Sequence, residues 1–204
     1  MRRTVDRVGA AIDVSDAELL ARARSGDEDA FAALVERYHP RLIRFAGTFV
    51  SGGGIVEDVA QETWLAVLRG LERFEGRASF RTWLFQICAN RARSIAVREH
   101  RIQPVEDVTL VGDRPVFAAD GSWAVPPAAW DTGTWDRAEL VSAVRAAITA
   151  LPWTQRQVIT LRDVEGMTAE EVCEVLDLTA VNQRVLLHRA RLRVRATVDA
   201  EVTP

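Results

Sequence analysis

The chain has 204 residues, nearly half of them apolar, and balances 26 basic against 29 acidic residues for a formal charge of −3; that is material for one or two compact, soluble domains. No apolar run is long enough to span a bilayer, and the Arg-rich start lacks the apolar segment of a secretory signal, so a cytoplasmic protein with no membrane insertion is expected. Cys88 and Cys173 each fall inside an apolar helical pattern and read as small core residues, while His39, His100 and His188 have no Cys or carboxylate at ligand spacing, so neither a disulfide, a metal nor a cofactor is expected.

A slightly negative protein is a poor candidate for nucleic-acid binding until its charges are placed. Between Arg77 and Arg101 stand six arginines and one acid, Glu99, and from Leu178 to Val198 five arginines and no acid. Two basic stretches on an otherwise acidic chain suggest two separate contacts with a polyanion. All the basic residues other than histidine are arginine, which we read mainly as codon bias of a G+C-rich genome.

In chain order, residues 1–14 lack periodicity and are expected to be a flexible N-terminus. Ser15, Asp16, Ala17 and Glu18 form a capping-box pattern leading into Leu19, Leu20 and Ala23. From Asp29 to Phe49, Phe31, Leu34, Val35, Tyr38, Leu42 and Phe45 recur every three or four residues, an amphipathic helix in which Pro40 is a possible kink or break. Ser51 to Gly54 lacks the Lys and hydroxyl residue of a phosphate-binding loop and reads as a connector. Ile55 to Phe74 predicts a helix with Val59, Leu65, Leu68 and Leu71 inward and Glu57, Asp58, Gln61 and Glu62 at its start. Ser79 is a plausible N-cap for a long helix carrying Phe80, Trp83, Leu84, Ile87, Cys88 and Ile95 towards Arg98.

Periodicity then fails. Residues 102–135 carry Pro104, Pro115, Pro126, Pro127 and several Asp, the makeup of an acidic linker, yet also Trp123, Trp130 and Trp135. A solvated tether has no need of tryptophan, so the linker either packs on a domain or binds a partner. Helical spacing resumes at Asp136 and runs through Leu140, Val144, Ile148 and Leu151, then from Thr154 to Val164. The end of the chain reads as a helix-turn-helix. Thr168 and Glu171 close a capping box over Val172, Val175 and Leu176, a turn follows at Asp177 to Thr179, and a second helix places Val181, Val185 and Leu187 on or near its inner face among many arginines. With no strand-like alternation anywhere, the fold class is all-α.

Four motifs in this order resemble bacterial RNA polymerase sigma factors of the sigma-70 family, and more narrowly the extracytoplasmic-function group: Asp58-Val59-Ala60-Gln61-Glu62-Thr63-Trp64, Phe80-Arg81-Thr82-Trp83-Leu84 with Asn90 downstream, Leu151-Pro152-Trp153-Thr154-Gln155-Arg156, and Arg162 to Thr168. The resemblance spans about residues 16–198 apart from the linker. It implies two small helical domains, sigma region 2 over 15–101 and sigma region 4 over 136–199, joined by the irregular linker 102–135. It also implies a factor that binds core RNA polymerase through the beta-prime clamp helices and the beta flap, reads −10 and −35 promoter elements, promotes DNA melting without catalysing a reaction, and answers to an anti-sigma factor.

By motif position, Asp58, Gln61, Glu62 and Trp64 are implied to face the polymerase. Arg77, Phe80, Thr82, Asn90, Arg91, Arg93 and Arg98 fall in the −10 segment, where separated strands call for stacking surfaces, amide hydrogen bonds and cations. Phe80, Trp83 and Leu84 could equally be core. Thr179, Gln183, Arg184, Val185, His188, Arg189 and Arg191 fall on the −35 helix. There the sequence departs from the family pattern at Asp177, Gln183 and Leu186; a register change or rotation of the helix would bring Gln183 outward as an adenine reader. The alternative reading is a helix-turn-helix regulator that binds duplex DNA without polymerase.

Overall fold

The computed structural model describes residues 14–98 and 137–202. The expected flexible N-terminus and the Trp-containing linker lie outside the described residues, except for Val14. Among the described residues the secondary structure is helical, with no strand.

The first group of helices is α1 (Asp16–Arg24), α2 (Glu28–Ala46), α3 (Gly53–Gly70) and α4 (Phe80–Arg98), with a 3-10 turn at Leu71–Arg73. Short polar side chains start them. Ser15 Oγ accepts the Glu18 amide at 3.3 Å, Asp27 Oδ1 accepts that of Ala30 at 3.0 Å, and Ser79 Oγ that of Thr82 at 3.1 Å. Asp16 ties α1 to α2 through Arg37 and the Tyr38 hydroxyl. Helix α2 runs through Pro40 without a break. Proline removes one intrahelical donor, and here its ring faces solvent, where water can satisfy the carbonyl it leaves.

Leu34, Leu42, Phe45, Val59, Val67, Leu84 and Phe85 fill the centre of this group and are fully buried. The inner face of α3 is Val56, Val59, Ala60, Thr63, Trp64 and Val67. Leu65 and Leu68, expected inward, are 50% and 49% exposed. Small residues decided the rotation. Ala60 and a Thr63 whose hydroxyl is satisfied by Val59 O at 2.7 Å sit on the buried face, where α3 packs on α4. At the other end of the same pair Gly70 lets the Trp83 ring come close, since a Cβ there would lie 3.0 Å from it and the ring would have to shift by a few tenths of an ångström.

The second group is α5 (Arg137–Thr149), α6 (Trp153–Ile159), a π-helical turn (Thr160–Val164), α7 (Ala169–Leu176) and α8 (Ala180–Val202). Val158, Leu161, Met167, Val172, Leu186, Ala190 and Val198 form its centre. Helix α8 lies against α5, α6 and α7, and α7 lies against α4, so one apolar cluster runs through both groups. Both cysteines are free thiols, Cys88 fully buried and Cys173 half-buried. Burial pushes the Cys88 thiol up to about 12, although the Thr63 hydroxyl pulls the other way.

Candidate nucleic-acid interface

The helix-turn-helix is built by its caps. Thr168 Oγ1 accepts the Glu171 amide at 3.2 Å and Glu171 Oε2 accepts the Thr168 amide at 2.8 Å, a complete capping box on α7. Asp177 ends the helix in the left-handed conformation, φ 57° and ψ 52°, a position Asp tolerates better than most residues. Thr179 Oγ1 then accepts the Asn182 amide at 3.2 Å, so this predicted DNA contact serves as the cap of α8.

Periodicity fixed that α8 exists but not its rotation. Its inner face is Gln183, Leu186, Leu187, Ala190, Val194 and Val198. Gln183 is only 3% exposed and its Nε2 is buried without a hydrogen-bond partner, so it is not an outward adenine reader. Val181, expected inward, is 61% exposed. The apolar Leu186, standing where the family pattern has a basic residue, explains both changes. It anchors one side of the helix in the core, and Gln183, one turn earlier, follows it inward. The outward side carries Val181 and Arg184, with Val185, His188 and Arg189 partly exposed beside them. Arg191 turns back to Asp163 on the π-helical turn, Nε to Oδ2 at 2.8 Å and Nη2 to Oδ1 at 2.7 Å. Burial and then the neighbouring Arg189 charge hold His188 below the usual histidine range.

On α4, Asn90, Arg91 and Arg98 are exposed, as is Arg77 in the preceding loop, where it pairs with Glu75 at 2.7 Å. Arg93 reaches Asn90 Oδ1 at 3.4 Å and, across to α7, Leu176 O at 3.4 Å. Phe80 and Thr82 are not at the surface. Phe80 is buried under Tyr38, Phe74 and Trp83, and Thr82, 1% exposed, bonds Ser79 and Glu171. Position at the first turn of a helix facing two other elements buries both.

On α3, Asp58, Gln61 and Glu62 are exposed along one side, Gln61 Nε2 donating to Glu57 Oε1 at 3.5 Å. Trp64 does not join them. It is 7% exposed and packs edge-on against Phe31, ring centroids 5.7 Å apart. Leu65 and Leu68 extend the exposed acidic and amide surface with apolar area instead.

Sequence reasoning missed Arg81. Its Nη2 donates to Glu171 Oε2 at 2.9 Å and its Nη1 to Glu165 O at 3.3 Å, so it joins the start of α4 to the helix-turn-helix. Glu165 lies nearby with its side chain 2% exposed, 3.3 Å from Arg44 and 3.7 Å from Arg41. Burial raises the Glu165 carboxyl above its ordinary value in spite of Arg44, Arg41 and Arg81. Glu171 goes the other way. Burial pushes it up, but the Thr168 amide, the Thr82 hydroxyl and Arg81 together hold it below the usual carboxylate range. Glu165 and Glu171 lie 84 and 90 positions after Arg81, and nothing in sequence said that they meet.

The arrangement is thus a helix-turn-helix with a cationic outward face, and beside it a second basic helix preceded by an acidic one. Known proteins share it. The description Sigma-70 region 2 matches residues 34–102, and Sigma-70, region 4 matches residues 142–194. The ECF RNA polymerase sigma-E factor of Salmonella typhimurium is 31% identical over 191 residues, covering 94% of this chain and 96% of the relative.

The chain belongs to the extracytoplasmic-function group of sigma-70 factors. Its fold agrees. A solved structure of CnrH in complex with the cytosolic domain of CnrY is 27% identical, covers 91% of this chain and 97% of the other, and gives a TM-score of 0.59. The sigma factor RpoE of Bartonella quintana, in complex with the anti-sigma factor NepR, has the same fold at a TM-score of 0.56 and 22% identity, covering 83% and 96%. As a sigma factor the protein binds core RNA polymerase and gives it promoter recognition and melting. Among the described residues no helix is long and apolar enough to cross a membrane.

Proposed function

We propose that this sigma factor divides its work between two exposed surfaces. The first group of helices, region 15–101, meets the beta-prime clamp helices through Asp58, Gln61 and Glu62, with Leu65 and Leu68 adding apolar area, and holds −10 strands with Asn90, Arg91, Arg93, Arg98 and Arg77. Charges, an amide and cations on one helix suit unpaired bases and their phosphates. The second group, region 136–199, reads the −35 element through Arg184, Val185, His188 and Arg189, with its upstream contact on the beta flap. The observation that carries this reading is α8 itself. One side is locked into the core by Leu186, Leu187, Ala190 and Val194, and the opposite side presents guanidinium and imidazole groups beside a capped turn.

Regulation by an anti-sigma factor in the cytoplasm that covers these surfaces fits the reading; the Bartonella sigma factor of the same fold is itself held in complex with the anti-sigma factor NepR. The deciding experiment is run-off transcription with purified core polymerase on promoters of the source genome. Initiation that requires this protein, and that is lost on changing Asp58 and Glu62 together to Ala, is the expected result. Tight duplex binding without polymerase, and no initiation with it, would overturn the reading.

A further inference from the structure

Helix α5 and its neighbours enclose a trough that no surface assigned above uses. Its volume is about 850 Å³, and it lies where the end of α2 faces α5, α6 and the π-helical turn. Each wall is a stripe at helical spacing, with Ile43 and Gly47 on α2, Leu140, Val144 and Ile148 on α5, and Thr160 and Val164 on the π-helical turn. The apolar lining is aliphatic, with no aromatic ring. Two of its members, Val141 and Val164, are 42% and 46% exposed, apolar area that gains by being covered. The α5 wall runs from Leu140 to Thr149, about 14 Å at 1.5 Å per residue, the length of an extended chain of about ten to twelve carbons.

Arginines supply the polar part. Arg44 pairs with Glu165 at 3.3 Å, and Asp163, the one acid of the lining, is taken by Arg191 at 2.8 and 2.7 Å. Arg145 and Arg156 have no carboxylate partner among the described residues. Arg156 is the sharper case. Its Nη2 donates to Leu151 O at 3.0 Å, its Nε is buried without a partner, and burial holds the guanidinium below its ordinary value with no acid to offset the cost. A charge withdrawn from water in a folded protein is normally paired. Only residues 150–152 join α5 to α6, so Arg145 and Arg156 lie towards the end that the two helices share, and Leu140 and Val141 lie at the other end of α5. An aliphatic trough with two unpaired guanidiniums towards one end has the polarity of an anionic amphiphile.

We propose that this trough binds a free acyl carboxylate of about ten to twelve carbons, its head on Arg145 and Arg156 and its chain along Ile43, Leu140, Val144 and Ile148. The head gains charge-assisted hydrogen bonds from guanidiniums that the fold leaves without an acid. The chain covers Val141 and Val164, and each of its methylenes contributes by leaving water. None of the lining residues carries a polymerase or promoter role above, so the site stands apart from those surfaces. An occupant touches both groups of helices, α2 from the first and α5 and α6 from the second, which gives the sigma factor a means of responding to a free amphiphile.

Decanoate is the probe, titrated into the full chain below its aggregation concentration and followed by methyl NMR of Ile, Leu and Val. Saturable binding with a Kd of about 10 µM to 1 mM is expected for a ligand of this size, with shifts centred on Ile43, Leu140, Val144 and Ile148. Tm should rise by roughly 3–6 °C when decanoate stands at about ten times Kd. Decanol should bind roughly 3- to 10-fold more weakly, and decyltrimethylammonium not measurably. Arg145→Gln and, separately, Arg156→Gln should each weaken decanoate by roughly 3- to 10-fold and leave decanol unchanged. Val141→Asp, at an exposed position, sets a like charge against the chain and should remove binding. Circular dichroism and Tm confirm that each variant is folded, and Arg145, being exposed, can be changed even if Arg156 cannot. Equal binding of decanoate and the cationic amphiphile, shifts spread over other faces, or arginine variants that bind decanoate as the parent does would overturn the proposal. So would decanoate that fails to saturate while phosphatidylglycerol vesicles bind, which would make this face a membrane contact. Binding is read without polymerase or DNA, so neither result bears on the transcription assay.

Discussion

Arg191 grips Asp163 through two parallel hydrogen bonds of 2.8 and 2.7 Å, and so ties the recognition helix to the π-helical turn that precedes the helix-turn-helix. The same turn is closed by Arg162 on Met167 O and by the Glu165 amide on Thr160 O at 2.9 Å. Helix α8 is therefore held at a set angle by a bidentate pair, the strongest form of a partly exposed ion pair.

Arg191 is thereby expected to act on stability more than on base choice. Arg191→Ala and Asp163→Asn should each cost about 1 kcal/mol, lowering Tm by roughly 2–4 °C for a chain of this size. The double variant should cost little more than either alone. Thermal melts of the three proteins check this. An Arg191→Ala protein with unchanged Tm and lost promoter affinity would make Arg191 a DNA contact.

Arg184 should behave in the opposite way. It is exposed near the start of α8, and on the proposed reading it meets a guanine edge. Arg184→Ala should weaken binding of the preferred −35 sequence by about 1–3 kcal/mol, roughly 5- to 150-fold, and relax preference at one position while Tm stays put. Val181 beside it is placed for a thymine methyl, so replacing that thymine by uracil should weaken the parent and leave Val181→Ala indifferent. Quantitative binding to a base-substituted promoter set in the presence of core enzyme decides both.

Trp64 separates core from interface on α3. Trp64→Ala should open a cavity worth about 3–5 kcal/mol and lower Tm by roughly 10 °C, whereas Trp64→Phe should be milder, since it fills most of the volume and removes an indole N–H that has no partner. Asp58→Ala and Glu62→Ala, both exposed, should leave Tm within a degree or so and weaken core polymerase capture. Scanning calorimetry and a pull-down on purified core give the two readouts.

His188 predicts a pH effect with a definite sign. Burial and Arg189 lower its pKa in the free protein, so the ring is neutral near pH 7. Phosphates close to it in the complex would raise that pKa, so binding takes up a proton and affinity should rise as pH falls from about 7.5 towards 6. His188→Gln should flatten the profile. A parent profile already flat over this range would remove His188 from the phosphate contacts.

Glu165 and Glu171 should give opposite pH signs. A carboxyl raised above its unfolded value, as Glu165 is with Arg44, Arg41 and Arg81 facing it, contributes stability that is present below the unfolded pKa and lost as pH rises through the folded one. Glu165→Gln should therefore equal or exceed the parent in Tm at pH 7. Glu171 is depressed, facing Arg81, Ser79, Thr82 and the Thr168 amide, so its contribution is present above the unfolded pKa and lost as pH falls through the folded one. Melting curves from pH 4 to 8 for the parent and each Gln variant show the two trends.

Most of the fold was legible because caps and periodicity are local. Ser15, Thr168 and Ser79 begin helices where expected, Asp177 ends α7 in the left-handed conformation it tolerates, and Val172, Val175 and Leu176 are buried. The errors share one origin. Leu65, Leu68 and Val181 were placed inside, Trp64, Thr82 and Gln183 on a working surface, and Phe80 was left between core and −10 surface, because an apolar or polar residue in a helix of mixed character does not state which way the helix is turned.

What the sequence determined by itself was the kind of protein: helix starts and stops, two basic stretches, and four ordered motifs sufficient for a sigma factor. Local rules govern these, since a cap needs only residues three or four apart. The rotation of α3 and α8, the commitment of Arg191 to Asp163, and the meeting of Arg81 with Glu165 and Glu171 were decided by tertiary structure alone. They depend on which small or apolar residue lets a neighbouring helix come close, and on contacts between residues some thirty to ninety positions apart, for which no short-range pattern exists.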